Sequence, residues 1–138
     1  MNTRNKKYPI KTELYASKAP LEWAVVGNGT LYTAQIPIDA NGDVVTGGIE
    51  AQTRQVFGNL IHTLECAGES LDSVCQVMIY VTDRQYLESV NRLYAEYFVS
   101  PYPNRAAIVV AGLAREEMLV EFVVYASATD SHQFQSGK

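Results

Sequence analysis

Metal and redox chemistry have little to work with in this chain, which holds two histidines and two cysteines in 138 residues. His62 and His132 lie far apart, and neither stands beside a cysteine or carboxylate at ligand spacing, so no metal site is expected. Cys66 and Cys75 form no recognisable clip, which makes a reducing cytoplasm the default compartment. Both read as thiols of the core. No apolar run is long enough to cross a bilayer and no secretory h-region is present, so a membrane setting is not expected. Positive charge is also scarce: 11 Lys and Arg against 15 Asp and Glu leave a net charge of −4. That balance argues against a broad electrostatic footprint for nucleic acid. The small cluster Arg4, Lys6, Lys7 and Lys11 reads as a solvated tail.

What is present is enough apolar material for one domain: 47% hydrophobic and 19% charged residues. A single domain over 1–138 is expected, with its core at about 20–128 and loosely held segments at 1–19 and 129–138. Trp23–Val26 and Leu31–Ile36 flank Gly27-Asn28-Gly29-Thr30, a strong hairpin signal. A turn at Asp39–Asp43 leads back through Val44-Val45 as a short third strand. From Gly48, the positions Ile49, Thr53, Val56, Phe57, Leu60, Ile61, Leu64 and Ala67 recur at helical steps, and Gly68 is placed as the stop. Gln52, Arg54, Gln55, Asn59 and Glu65 fall mostly off that face, and His62 abuts it.

Val74–Val81 reads as a strand with Cys75, Val77, Ile79 and Val81 on one face. Thr82 or Asp83 caps a second helix, facing inward with Leu87, Val90, Leu93, Tyr94, Tyr97 and Phe98; Pro101 and Pro103 forbid its continuation. Two further strands follow, one carrying Arg105 and one from Met118 to Ala128. The order is β-β-β-α-β-α-β-β, an α/β (α+β) fold in which two helices cover one face of about six strands. The later strands carry apolar residues at both parities, so the second face also seeks burial. Packing on other copies, as a homo-oligomer with a barrel-like centre, resolves this.

Two charges stand out. In Tyr102-Pro103-Asn104-Arg105-Ala106-Ala107-Ile108-Val109-Val110, Arg105 is the only charge between Glu96 and Arg115. Glu121 is the one interior charge of the last strand. Strands joined by a short turn usually pair, so an Arg105–Glu121 ion pair is one reading. In the other, each has its own chemistry. Arg105 grips a carboxylate with its planar fork, and Glu121 holds or deprotonates a water. Asn91 reads equally as a solvent-exposed amide, and Thr33 as an ordinary strand residue.

Several motifs together resemble the reactive intermediate deaminase (RidA/YjgF) family: Gln35-Ile36-Pro37, Ile49–Gln55, Val77–Asp83, Val90–Phe98 and Pro103-Asn104-Arg105. The resemblance runs in register from about residue 22 to 128. It implies a chorismate-mutase-like fold and a homotrimer with pockets at the subunit interfaces. It also implies hydrolysis of 2-aminoacrylate-type enamines and imines to 2-keto acids and ammonia, with no metal or organic cofactor. By matched position, Arg105 would bind the substrate carboxylate, Glu121 would position water and Asn91 would support the pocket. Thr33 would line the pocket, and Ala107 would serve through its backbone carbonyl. One departure is plain: family members of the enzyme branch carry a pocket tyrosine where this chain has Pro20-Leu21-Glu22-Trp23-Ala24. Two alternatives stay open: a non-catalytic trimer that binds small carboxylates, and an endoribonuclease. The acidic balance and the lack of a paired histidine for phosphodiester chemistry count against the second.

Overall fold

The computed structural model describes residues 6–129, so Arg4, His132 and the segment 130–138 lie outside the described residues. Six strands and two helices succeed one another. They are β1 (Tyr8–Pro9), β2 (Ala24–Gly27), β3 (Thr30–Gln35), α1 (Gly48–Cys66), β4 (Val74–Val81), α2 (Leu87–Tyr97), β5 (Asn104–Val109) and β6 (Val120–Ser127). They build one sheet in the order β1-β2-β3-β6-β4-β5, antiparallel except for the parallel β4–β5 pair.

The expected α+β architecture is present, but its first three strands are not the expected ones. Val44-Val45 contributes only an isolated bridge between Ile38 and Val44. The third strand is instead Tyr8–Pro9, in the segment expected to be loose. Ile10 anchors it: the side chain is buried, and its N–H donates to the Ala24 carbonyl at 3.0 Å. Two residues of pairing carry no periodicity, so the strand has no signature in the sequence.

Local chemistry sets the element ends. Asn28 (φ 52°) and Gly29 (φ 76°) turn the β2–β3 hairpin, both in the left-handed region such turns require. At the end of α1 the Gly68 N–H donates to the Glu65 carbonyl and the Glu69 N–H to the Leu64 carbonyl, a Schellman closure with Gly68 at φ 75°. Before α2 the Asp83 carboxylate accepts the Gln85 N–H at 2.9 Å, which caps the short turn that feeds the helix.

Both helices lie on one face of the sheet. Val56, Phe57, Leu60 and Leu64 of α1 and Val90 and Tyr94 of α2 pack with Val77, Ile79, Val81, Phe122 and Val124. Phe57 stacks on Tyr97 at 4.0 Å and meets Phe122 edge-on at 5.1 Å. Exposed ion pairs, Arg54–Glu96 and Arg92–Glu50, tie the outer sides of the two helices. The opposite face carries Tyr32 and Tyr125 in an edge-to-face pair, with Ala34, Met78, Tyr80 and Val123, and no described helix covers it.

Two burial expectations need correction. Cys75 is exposed and Cys66 only half-buried, so neither is a core thiol. A β-bulge between Val74 and Gln76 breaks the alternation, which turns Cys75 outward while Val74 stays buried. Gln52 and Asn59 of α1, expected off the packed face, are buried at 3% and 7% exposure. Their amides satisfy loop backbone that would otherwise be orphaned. Asn59 donates to the Ile36 and Ile38 carbonyls. Gln52 donates to the Val45 and Glu117 carbonyls at 3.1 and 2.9 Å and accepts from the Leu119 N–H at 2.8 Å.

Gln52→Leu keeps the volume but leaves those three backbone groups unpaired. It is expected to destabilise the fold by about 2–4 kcal/mol, read from urea unfolding. A loss below about 0.5 kcal/mol would mean that water takes over the amide's role.

Candidate functional site

Arg105 sits on β5, the outermost strand, whose start is pinned where Gln76 Nε2 donates to Asn104 Oδ1 at 2.7 Å. Register partners on neighbouring strands project to the same face. Arg105 lies opposite Val77, a buried residue of the helix-covered face, and so points toward α2. There its Nη2 donates to Asn91 Oδ1 at 2.6 Å, and its guanidinium carbon stands 4.7 Å from the centre of the Tyr94 ring. Asn91 and Tyr94 are three residues apart on α2 and share one side of it. Both partners of the cation are neutral. Among the described residues the ion pairs are those of Arg54 and Arg92, so no carboxylate neutralises Arg105. The residue is exposed, and its Nη2–Asn91 bond is the one side-chain hydrogen bond of the guanidinium among the described residues.

From the sequence, Tyr94 reads as ordinary helix core and not as a site residue. Its three-residue spacing from Asn91 is the one signal that it belongs here. Burial pushes its phenol up while Arg105 pulls it back down, and its buried hydroxyl has no hydrogen-bond partner among the described residues.

Glu121 lies on the other face. It pairs in register with Tyr80, between the buried Val120 and Phe122, and so projects to the side without helices. β4 stands between β5 and β6, so Arg105 and Glu121 belong to one sheet but not to neighbouring strands. The ion pair considered from the sequence is absent from the ion pairs of the described residues. Burial raises the Glu121 carboxyl above its ordinary value, with no opposing charge among the causes.

A cavity of about 360 Å³ adjoins Glu121; Leu21, Trp23, Ala34, Ile36 and Met118 line it together with the charged residues Glu22 and Arg115. Trp23 is locked in place: its indole N–H donates to the Tyr15 carbonyl at 2.7 Å, and its own carbonyl accepts from Thr33 Oγ1 at 2.5 Å. Thr33 therefore does not line this cavity. It is buried on the helix-covered face and bonds Trp23 and Gln35. Ala107 lies two residues from Arg105 on the same face of β5 and is exposed. As an outermost strand, β5 leaves one row of backbone N–H and C=O groups outside the sheet's pairing. Among the described residues no group of three or more metal-ligating side chains is gathered.

Residues 11–128 match the family described as endoribonuclease L-PSP. The chain is 38% identical over 125 residues to a RutC family protein of Pyrococcus horikoshii, covering 89% of this chain and 94% of that one. It is 37% identical to the protein mmf1, mitochondrial, of Schizosaccharomyces pombe, over 75% of this chain and 64% of that one. Among solved structures, the conserved Rid family protein YyfA of Yersinia pestis superposes with a TM-score of 0.84 at 36% identity, covering 88% of this chain and 99% of the other. This chain belongs to the RidA/YjgF family, also described as the RutC or endoribonuclease L-PSP family.

Because burial raises the Glu121 carboxyl, the folded protein holds a proton that the unfolded chain has already lost. In the window above the ordinary value of 4.5, stability falls as pH rises. Glu121→Gln removes the charge, so the variant is expected to out-stabilise the parent near neutral pH. That advantage should vanish below pH 4.5, where both states are protonated. Urea midpoints at the two pH values test this, and equal midpoints at neutrality would contradict a desolvated carboxylate.

Proposed function

We propose that this protein is an enamine/imine deaminase that hydrolyses 2-aminoacrylate-like and related imino acids to 2-keto acids and ammonia. It does so as a homotrimer with its sites between subunits. The observation that carries the reading is the state of Arg105: an exposed guanidinium held by a neutral amide and an aromatic ring, with no carboxylate partner among the described residues. Such a fork is preorganised for an incoming carboxylate. Glu121, on the opposite face with a raised carboxyl, supplies the proton acceptor. Because the two project from opposite faces of one sheet, a complete site takes Arg105 from one copy and Glu121 from another. The uncovered apolar face supports that association.

The chemistry follows from these parts. An enamine first gains a proton at carbon from solvent and becomes an iminium, whose carbon is electrophilic. Arg105 fixes the substrate by its carboxylate, and Asn91 and Tyr94 fix Arg105. Water adds to the iminium carbon as Glu121 takes its proton. Glu121 returns that proton to the carbinolamine nitrogen, which leaves as ammonia, and takes the hydroxyl proton as the C=O bond forms; solvent or the departing ammonia then removes it. Positioning supplies most of the acceleration, because the carbon already carries the electron demand. Ala107 contributes through backbone on the open side of β5. The apolar cavity with Leu21 and Trp23 favours substrates with larger apolar side chains than 2-aminoacrylate. Two unpaired cysteines favour a reducing compartment such as the cytoplasm. The endoribonuclease reading is weaker: the one described histidine, His62, has its Nε2 occupied by the Glu13 N–H, and the net charge is −4.

An amino-acid oxidase can generate imines while semicarbazide competes for them. The protein is expected to suppress semicarbazone formation. Arg105→Ala should lose both binding and suppression, whereas Glu121→Gln should bind carboxylates but turn over about 10²–10⁴-fold more slowly. Wild-type protein that binds carboxylates without suppression would instead identify a non-catalytic carboxylate binder.

A further inference from the structure

Behind the wall that carries Trp23 lies a second cavity, of about 410 Å³, between the 13–15 segment, the 38–40 loop and α1. Most side-chain donors of its lining are already committed; His62, whose Nε2 accepts the Glu13 N–H at 3.0 Å, keeps Nδ1–H as a donor. The Trp23 N–H is committed to the Tyr15 carbonyl, and Asn59 Nδ2 to the Ile36 and Ile38 carbonyls. Gln55 Nε2 is committed to Asn59 Oδ1. Glu13 and Asp39 also line the space, and neither appears in an ion pair of the described residues, although Asp39 Oδ1 accepts the Asn41 and Asp43 N–H groups at 2.9 and 3.1 Å.

Gln35 is the most telling. It is 1% exposed and spends its amide donor on Thr33 Oγ1 at 2.9 Å and Thr63 Oγ1 at 3.0 Å. Its Oε1 accepts no hydrogen bond among the described residues. A buried acceptor therefore borders this cavity with its capacity unused. An independent observation comes from Gly58. It stands in the interior of α1, where glycine costs up to about 1 kcal/mol relative to alanine. A Cβ there would meet nothing within 4 Å, so packing does not demand glycine. What the missing side chain does preserve is the opening, since Gly58 lines the same space.

We propose that this cavity binds a small primary-ammonium compound. The ammonium donates to the Glu13 carboxylate and Gln35 Oε1, Asp39 adds negative potential, and the Trp23 and Tyr15 rings cover the cation. Anions are disfavoured by the two unpaired carboxylates. Tyr15, Trp23 and Ile38 line both this cavity and the one beside Glu121, so the two sites share a wall.

Trp23 is the sole tryptophan of the chain, which makes its emission a direct reporter. The full chain would be titrated with n-butylamine and 1,4-diaminobutane, with butyrate and n-butanol as the anionic and neutral matches. A saturable change with the amines only is expected. Glu13→Gln should weaken it about tenfold or more and Gly58→Leu should abolish it while the fold remains at least as stable. Glu121→Gln should leave the amine response intact. No saturable response to amines, or an equal response to butyrate or butanol, would overturn the proposal. So would a response lost with Glu121→Gln rather than with Glu13→Gln, since that would place the amine on the other side of the wall.

Discussion

The alternation of side chains along a strand governs this molecule. Arg105 shares a face with Val77, and Glu121 shares the opposite one with Tyr80. No rotamer change can bring the two together, because each must project from its own side of the sheet. The intervening β4 separates their strands by two spacings, about 9.5 Å, and a three-residue offset adds about 10 Å along the strands. A reaction that uses both would have to draw them from different copies, and the proposed association would cover the open face that carries Tyr32 and Tyr125.

The contacts that hold Arg105 are neutral. A carboxylate partner would satisfy the guanidinium but would compete with an incoming anion. The amide of Asn91 orients one edge of the fork, and the Tyr94 ring supports its plane at a gain of about 0.5–2 kcal/mol. Phe57 and Phe98 pack against that ring, which connects the α1–α2 packing to the position of the Arg105 guanidinium.

Much of this is legible in the sequence, for physical reasons that can be named. Arg105 and Glu121 stand out because a charge inside an apolar strand demands an explanation, and the helices declare themselves through period and stops. Facing is harder. A short connection between β5 and β6 suggests neighbours, yet β6 inserts between β3 and β4, and only the register fixes which way Glu121 points. Cys75 misleads because a bulge changes parity without leaving a mark in composition. Gln52 and Asn59 mislead because their burial depends on loop carbonyls distant in sequence. Tyr8–Pro9 is too short for any periodic signal, and the bond from Thr33 to the Trp23 carbonyl leaves none either.

The most direct measurement is complementation between two inactive variants. Arg105→Ala and Glu121→Gln proteins, each checked for oligomeric assembly, would be mixed, dissociated and reassembled, then assayed for imine hydrolysis. If each site takes Arg105 from one subunit and Glu121 from the next, random assortment restores about one quarter of the sites. Activity near that fraction is the expected result. No recovery from well-assembled hybrids would place both residues in one subunit's site and contradict the account.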